Sequence, residues 1–172
     1  MSFGNRTASI PGNQDKQIST LLPEDFGSPG YGGRRKDTID AHIASLAQSR
    51  GELLEKFDYW IKPSTELRQY LWAHEADDLE RARRIINILP VEIIQRILRY
   101  LVSHYWGHYL GWPDLLVYRQ NEFFFVEVKS SKDKLSEEQK SWIRGNRSEL
   151  NLPFKLAKIH KRSIVEAPQD SE

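Results

Sequence analysis

From residue 37 to about residue 109 apolar side chains recur every three or four positions. Ile39, Ile43 and Leu46 form one such set, and Leu53, Leu54, Phe57, Trp60 and Ile61 a second, with Pro63 placed to stop it. Ser64 can cap a further helix carrying Leu67, Tyr70 and Leu71, and Asp77 or Asp78 can start another through Leu79, Ala82, Ile85 and Ile86. Pro90 suits the first turn of the next helix, whose stripe Val91, Ile94, Leu98, Leu101 and Tyr105 is the clearest in the chain. At Gly111 the period changes. "DLLVY" and "EFFFVEV" are short and rich in β-branched and aromatic residues. Between them "RQN" holds Asn121, which tolerates a left-handed turn, so the two segments read as a hairpin. The unbroken "FFFV" predicts a strand buried on both faces, hence central in its sheet. "SEEQKSWIRGN" predicts a helix with Ser136 as N-cap, Gln139 at the third helical position and Gly145 as its end, and "PFKLAKIH" a last strand. Helices, two strands, a helix and a strand give an α/β fold, a mixed β-sheet flanked by helices behind a helical N-terminal half.

Ahead of these elements, residues 1–36 hold six of the ten glycines and end in "GSPGYGGRRK". Such a composition cannot offset ordering entropy by burial and reads as a flexible arm or linker. The predicted organisation is therefore an arm over 1–36, one domain over 37–165 (a helical part 37–110 and a sheet-bearing core 111–162) and an acidic tail over 166–172. A length of 172 residues with 39% hydrophobic content supports one such core. The chain has no cysteine, which excludes disulfides and thiolate metal sites. No apolar stretch approaches the roughly 18 residues that span a bilayer, and "MSFGNRTASIPGNQ" lacks the basic and then apolar run of a secretory signal. A soluble, cytoplasmic protein with no membrane partner is the expectation.

The net charge of +1 argues against indiscriminate coating of nucleic acid, but the charge is unevenly spread. Residues 1–128 carry 15 Lys and Arg against 17 Asp and Glu, whereas residues 129–162 carry 10 against 4. An anionic ligand fits that local excess; a solvated face is the plainer alternative.

Side chains alternate along a strand, so Glu127 and Lys129 point to one side. The simplest hairpin register brings Asp114 close to both. Two adjacent carboxylates repel each other unless a proton or cation sits between them, and oxygen-only ligands favour a hard ion such as Mg2+ or Mn2+. Lys129 has the wrong charge for a ligand, but an ammonium there can orient a water and stabilise charge developing on an attacked phosphate. Lys132, Lys134, Lys140, Arg144 and Arg147 are placed to hold neighbouring phosphates of DNA. Each residue also has a plainer role. Asp114 after Pro113 can be a turn residue, Glu127 and Lys129 a sheet-edge salt bridge, and Gln139 no more than half of a capping box. His104 and His108 have a spacing that binds zinc on a helix, yet Gly107 weakens that helix, and aromatic packing around Tyr105, Trp106 and Tyr109 fits better. Trp60, Trp72 and Trp142 read as packing residues. Arg81, Arg83 and Arg84 form either a DNA-contact face or a solvated one.

"GWPDLL", thirteen residues from Asp114 to "EVK", and a glutamine ten residues beyond Lys129 together resemble the virus-type replication-repair nuclease (VRR-NUC) module of the PD-(D/E)XK superfamily. Within that branch "ILPVEIIQRILRYLVSHYWGHYLGWPDLLVY" and "VEVKSSKDKLSEEQKSWI" are similar to the C-terminal domain of the Fanconi-associated repair nucleases. The resemblance covers roughly residues 79–160. It implies a restriction-endonuclease-like core and metal-dependent DNA hydrolysis. Asp114 and Glu127 would ligate the metal with the backbone carbonyl of Val128 as a further ligand, while Lys129 would serve the attacking water and Gln139 would organise the site. It also implies an acid from an upstream helix, Asp37 in "RRKDTID" first, with Glu66 and Glu92 as competitors. Similar modules serve as toxic DNase effectors delivered into the cytoplasm of competing bacteria, which implies a cognate immunity protein as partner, and this is the favoured setting. DNA repair by a structure-specific nuclease is one alternative, and a non-catalytic DNA-binding module another. The oligomeric state is not legible.

Overall fold

The apolar periodicity of the first half folds into helices, though not always where local rules end them. The computed structural model describes residues 7–8, 18–19, 25, 28–46, 48–67, 75–120 and 122–160, with the backbone alone at 7–8, 18–19 and 63–67, and the chain divides into two units, Met1–Tyr109 and Leu110–Glu172. In the first unit β1 (Thr7–Ala8) pairs antiparallel with β2 (Ile18–Ser19). There follow α1 (Tyr31–Arg34), α2 (Lys36–Ala44), α3 (Arg50–Leu67), α4 (Ala76–Ile88), α5 (Val91–Ser103) and α6 (Tyr105–His108). Leu53, Ile86 and Val91 form a buried cluster on which Leu46, Leu54, Phe57 and Ile94 pack. Among the described residues no helix is long and apolar enough to cross a membrane.

Several boundaries differ from expectation. Helical structure starts before residue 37, because Gly32 is buried against the Val102–Ser103 backbone and Asp25 binds Arg34 and Arg35; the remainder of the arm reading lies almost wholly outside the described residues. The helix α3 runs through Pro63 and takes in Ser64, the expected stop and cap, so the loss of one i→i−4 bond at proline is outweighed by the turns on either side. The α4 helix starts at Ala76, ahead of Asp77 and Asp78. Asp78 instead accepts the backbone N–H of Glu75 (3.1 Å), a reciprocal cap in the first turn. His104 breaks the last stripe, leaving Tyr105 in α6, and the buried aromatic of α5 is Tyr100, at 4% exposure. Trp60 is 52% exposed, on the rim of an open apolar cavity of about 560 Å3, and is not a core residue. Tyr70, Leu71, Trp72, Asn121 and the tail 166–172 lie outside the described residues.

In the second unit β3 (Leu115–Arg119) and β4 (Glu122–Ser130) pair antiparallel, with Leu115 opposite Val126, and Gln120 in the turn takes φ +56°. The chain then forms α7 (Glu137–Gly145), a π-helical turn (Asn146–Leu150) and β5 (Phe154–Ile159). β5 joins parallel to β4, so the sheet order is β3-β4-β5 with β4 in the centre, the mixed sheet predicted. α7 ends at Gly145 as expected, but the glycine keeps right-handed angles and the chain runs on into the π turn; the left-handed residue is Asn151, at φ +46°. The cause is Asn146, buried, whose side chain accepts from Leu152 N–H (2.8 Å) and donates to Leu152 O (3.1 Å), drawing the chain into a wider turn that leads straight into β5. Trp142 is 2% exposed and packs among Trp112, Phe125 and Phe154, so α7 covers one face of the sheet.

Candidate functional site

The register decides which side chains meet. The Phe125 N–H bonds to Pro153 O on the β5 side, so alternate residues Phe124, Val126 and Val128 turn their backbone groups toward β3. The ladder with β3 ends at Leu115, and one step beyond it Asp114 takes over: its Oδ2 accepts the Val128 N–H at 2.8 Å. A strand residue presents N–H and C=O to the same neighbour, so the Val128 carbonyl faces the edge where Asp114 sits. Asp114 itself is exposed, while Glu127 is buried at 2% exposure.

Glu127 and Lys129 share the face covered by α7. Lys129 Nζ lies 2.7 Å from Glu127 Oε1, and the same oxygen accepts from Gln139 Nε2 at 2.5 Å. The salt bridge to Glu127 holds the Lys129 ammonium above its ordinary pKa, with smaller contributions from the charges of Asp114 and Asp133. Gln139 caps α7 and also touches Glu127. Its Oε1 accepts the Ser136 N–H (2.9 Å) and its own N–H donates to Ser136 Oγ (3.2 Å), closing a capping box. With its oxygen engaged by a donor, the amide can offer Glu127 only its NH2. Cap and contact are one arrangement.

Asp133 was not among the residues singled out in the sequence. Its carboxylate accepts the Ser130 N–H (3.0 Å), which holds it below its ordinary pKa and shapes the turn after β4 next to Lys129. Lys158 is a second such residue. It stands in register with Lys129 across the β4/β5 pair, on the same face, a relation that no local spacing in "KLAKIH" announces. The basic residues predicted to hold phosphates are all exposed: Lys132 and Lys134 before α7, Lys140 and Arg144 on it, Arg147 in the π turn. Lys140, Arg144 and Arg147 fall on one stripe at i, i+4 and i+7, and Lys140 is engaged by Glu137 at 2.7 Å. Among the described residues no group of three or more His, Cys, Asp and Glu side chains is assembled to hold a metal. Of the upstream acids, Asp37 lies exposed in the first turn of α2 and Glu92 exposed in the first turn of α5, both in the helical unit, and the Glu66 side chain is outside the described residues. His108 stacks on Tyr100 (3.9 Å) with Nδ1 2.7 Å from Tyr100 O, and Tyr105, Trp106 and Tyr109 pack together, the aromatic arrangement and not a zinc site.

The chain has known relatives. The VRR-NUC domain family matches residues 48–160. A Fanconi-associated nuclease 1 homolog of Arabidopsis thaliana is 30% identical over 142 residues, covering 79% of this chain and 16% of the relative. One from Dictyostelium discoideum is 30% identical over 138 residues, covering 70% and 12%. The crystal structure of paFAN1 bound to 2nt 5'flap DNA with gap is similar in fold, with a TM-score of 0.58 at 19% identity over 83% of this chain and 26% of that one. The chain thus spans less than a fifth of the length of either curated relative.

Proposed function

We propose for this chain, which belongs to the VRR-NUC domain family, the hydrolysis of DNA phosphodiester bonds with Mg2+ or Mn2+ as cofactor. The observation that carries this reading is a carboxylate at 2% exposure, Glu127, held by an ammonium and an amide at the end of a strand whose neighbour supplies Asp114. Burying such a charge costs stability even when it is paired, and function is a reason for a chain to retain it.

The donor set suits a hard divalent ion, since Asp114, Glu127 and the Val128 carbonyl offer oxygen alone. Those three groups would hold the ion, and when bound it supplies Lewis-acid polarisation of a phosphate oxygen. Lys129, its pKa raised, stays an ammonium throughout the neutral range. It therefore acts as a charged donor and not as a base, orienting the attacking water and stabilising charge on the phosphate as the bridging P–O bond breaks. Gln139 donates to Glu127 and so aims that carboxylate. Lys132, Lys134, Arg144 and Arg147, with Lys140 and Lys158, hold the flanking phosphates.

Plasmid cleavage in Mg2+ by the wild type, Asp114→Ala and Lys129→Ala tests the reading. Loss of cleavage in both variants is the expected result; equal cleavage in all three defeats the catalytic assignment, and binding without cleavage by the wild type favours a non-catalytic DNA-binding module.

The setting we propose is an antibacterial effector acting in the cytoplasm of a target cell and restrained by an immunity protein, supported by the glycine-rich composition of residues 1–36 ahead of the catalytic part. A second reading, repair of branched DNA, draws on the relatives, which are Fanconi-associated nucleases, one of them bound to flap DNA. Expression in bacteria separates the two: growth arrest that needs Lys129 supports the effector, while harmless expression with cleavage of flap over linear duplex supports repair.

A further inference from the structure

We propose that Gly111 is a positioning residue of this site: its missing side chain lets the segment that carries Asp114 lie against the first turn of α7 and so keeps Gln139 on Glu127. The inference rests on the reading above, that these carboxylates form the catalytic centre. Gly111 has φ +78°, a region that residues with a Cβ seldom adopt. A Cβ built there would lie 2.3 Å from the carbonyl oxygen of Glu138, 2.4 Å from its carbonyl carbon and 2.8 Å from the Gln139 amide nitrogen. These are helix backbone atoms, which cannot swing aside as the tip of a long side chain can. Relief requires the turn itself to move by about the ångström that separates these distances from van der Waals contact.

The turn that would move is the one that aims Gln139. Its backbone N–H is held by Ser136 Oγ, its side-chain oxygen by Ser136 N–H, and its NH2 reaches Glu127 at 2.5 Å. On the other side, three residues after Gly111, Asp114 is bound to Val128 N–H, adjacent to Glu127 in β4. The contacts close a ring from Gly111 through Asp114, Val128, Glu127 and Gln139 back to the Glu138 carbonyl. Both carboxylates are thus spaced by a loop of bonds and packing whose tightest point is the glycine. Gly32 offers a contrast in the helical unit, where a Cβ would meet Val102 O at 2.4 Å but no member of the site is involved.

The experiment uses the full chain and the variants Gly111→Ala, Gly111→Asn, Gln139→Ala and the Gly111→Ala/Gln139→Ala pair, with Gly32→Ala as the control for a backbone clash elsewhere. The first readout is independent of activity: the Gln139 side-chain amide resonance, identified by its loss in Gln139→Ala. It is expected to move to the position of a solvent-exposed glutamine in Gly111→Ala while the Trp142 indole signal stays dispersed, and to remain in place in Gly32→Ala. The second is Mg2+-dependent cleavage, expected to fall in kcat by on the order of 10- to 100-fold in Gly111→Ala, with less than about a twofold further loss on adding Gln139→Ala. Asn tolerates positive φ but keeps the Cβ, so Gly111→Asn is expected to match Gly111→Ala. An unmoved amide, costs that multiply in the pair, or recovery in Gly111→Asn overturns the proposal. Should Gly111→Ala not fold, Gly111→Asn carries both readouts, and failure of both to fold overturns it as well, since Gly111 would then serve the fold and not the site. If the wild type cleaves no DNA, the catalytic reading fails, and the amide signal still decides whether Gly111 positions Gln139.

Discussion

The sheet unit holds a buried ion pair, whereas the helical unit, like the Lys140–Glu137 pair on α7, keeps its ion pairs exposed. In the helical unit, Asp25 with Arg34 and Arg35, Asp40 with Lys36 and Arg99, Glu52 with Lys56, and Asp58 with Arg83 are all pairs whose side chains stay at least 32% exposed. In the sheet unit the Glu127–Lys129 pair is 2% and 15% exposed. Water screens the first group, so each pair adds little and none calls for a function. The second has lost most of its hydration, and an apolar pair of the same size would serve stability as well or better. The location of charge, more than its amount, marks the site.

Four measurements break or sharpen that contrast. The largest effect is expected for Glu127→Ala, with DNA cleavage at saturating Mg2+ down by about 10^3-fold, whereas Lys56→Ala in the helical unit stays within about twofold of wild type. Comparable rates in the two would erase the distinction. Next comes stability. Lys129→Met leaves Glu127 buried without its counter-charge and is expected to lower Tm by about 10 °C, against about 2 °C or less for Lys56→Met, in thermal melts without metal. Third, Mg2+ at many times its Kd is expected to raise Tm of the wild type by several degrees but not that of Asp114→Ala. A rise of equal size in both would place the ion elsewhere.

The smallest effect is in pH, and it has opposite sign in the two units. Hydrogen bonds from Arg35 and then Arg34 hold the Asp25 carboxyl down at about 2, below its ordinary 3.8, so its contribution is present above that ordinary value and disappears as pH falls through about 2. Lys129 is raised above its ordinary 10.5, so its contribution is complete below that value and is lost only at more alkaline pH. Unfolding curves of Asp25→Asn should flatten at the acid end, and those of Lys129→Met at the alkaline end. Curves parallel to wild type at both ends would refute the assignments.

What the sequence disclosed, and what it hid, follows the range of the interactions. The hairpin and the place of Asp114 beside Val128 come from a period of two and a short turn, and the central place of "FFFV" from an unbroken apolar run, all within sixteen residues. Ser136 and Gln139 are legible for the same reason, since a cap is a local device. Pro63 misled because a local penalty was set against a long helix. Gly145 does end α7, but the π turn after it could not be read, because it depends on Asn146 bonding to Leu152 on the far side of that segment. Lys158 could not be placed without knowing that β5 runs parallel to β4. The resemblance implies an acid from an upstream helix, and no periodicity in the sequence selects among Asp37, Glu66 and Glu92.

The parallel join between β4 and β5 also bears on the order of assembly during synthesis. Both carboxylates leave the ribosome on a two-stranded hairpin, which by itself is at best marginally stable in water. Glu127 acquires its amide partner only when α7 has formed, and its strand acquires a second neighbour only when Phe154–Ile159 has emerged. The nascent chain therefore carries these acids for some thirty residues before they can be fixed in place, and a ribosome stalled short of Phe154 would hold a sheet without its third strand.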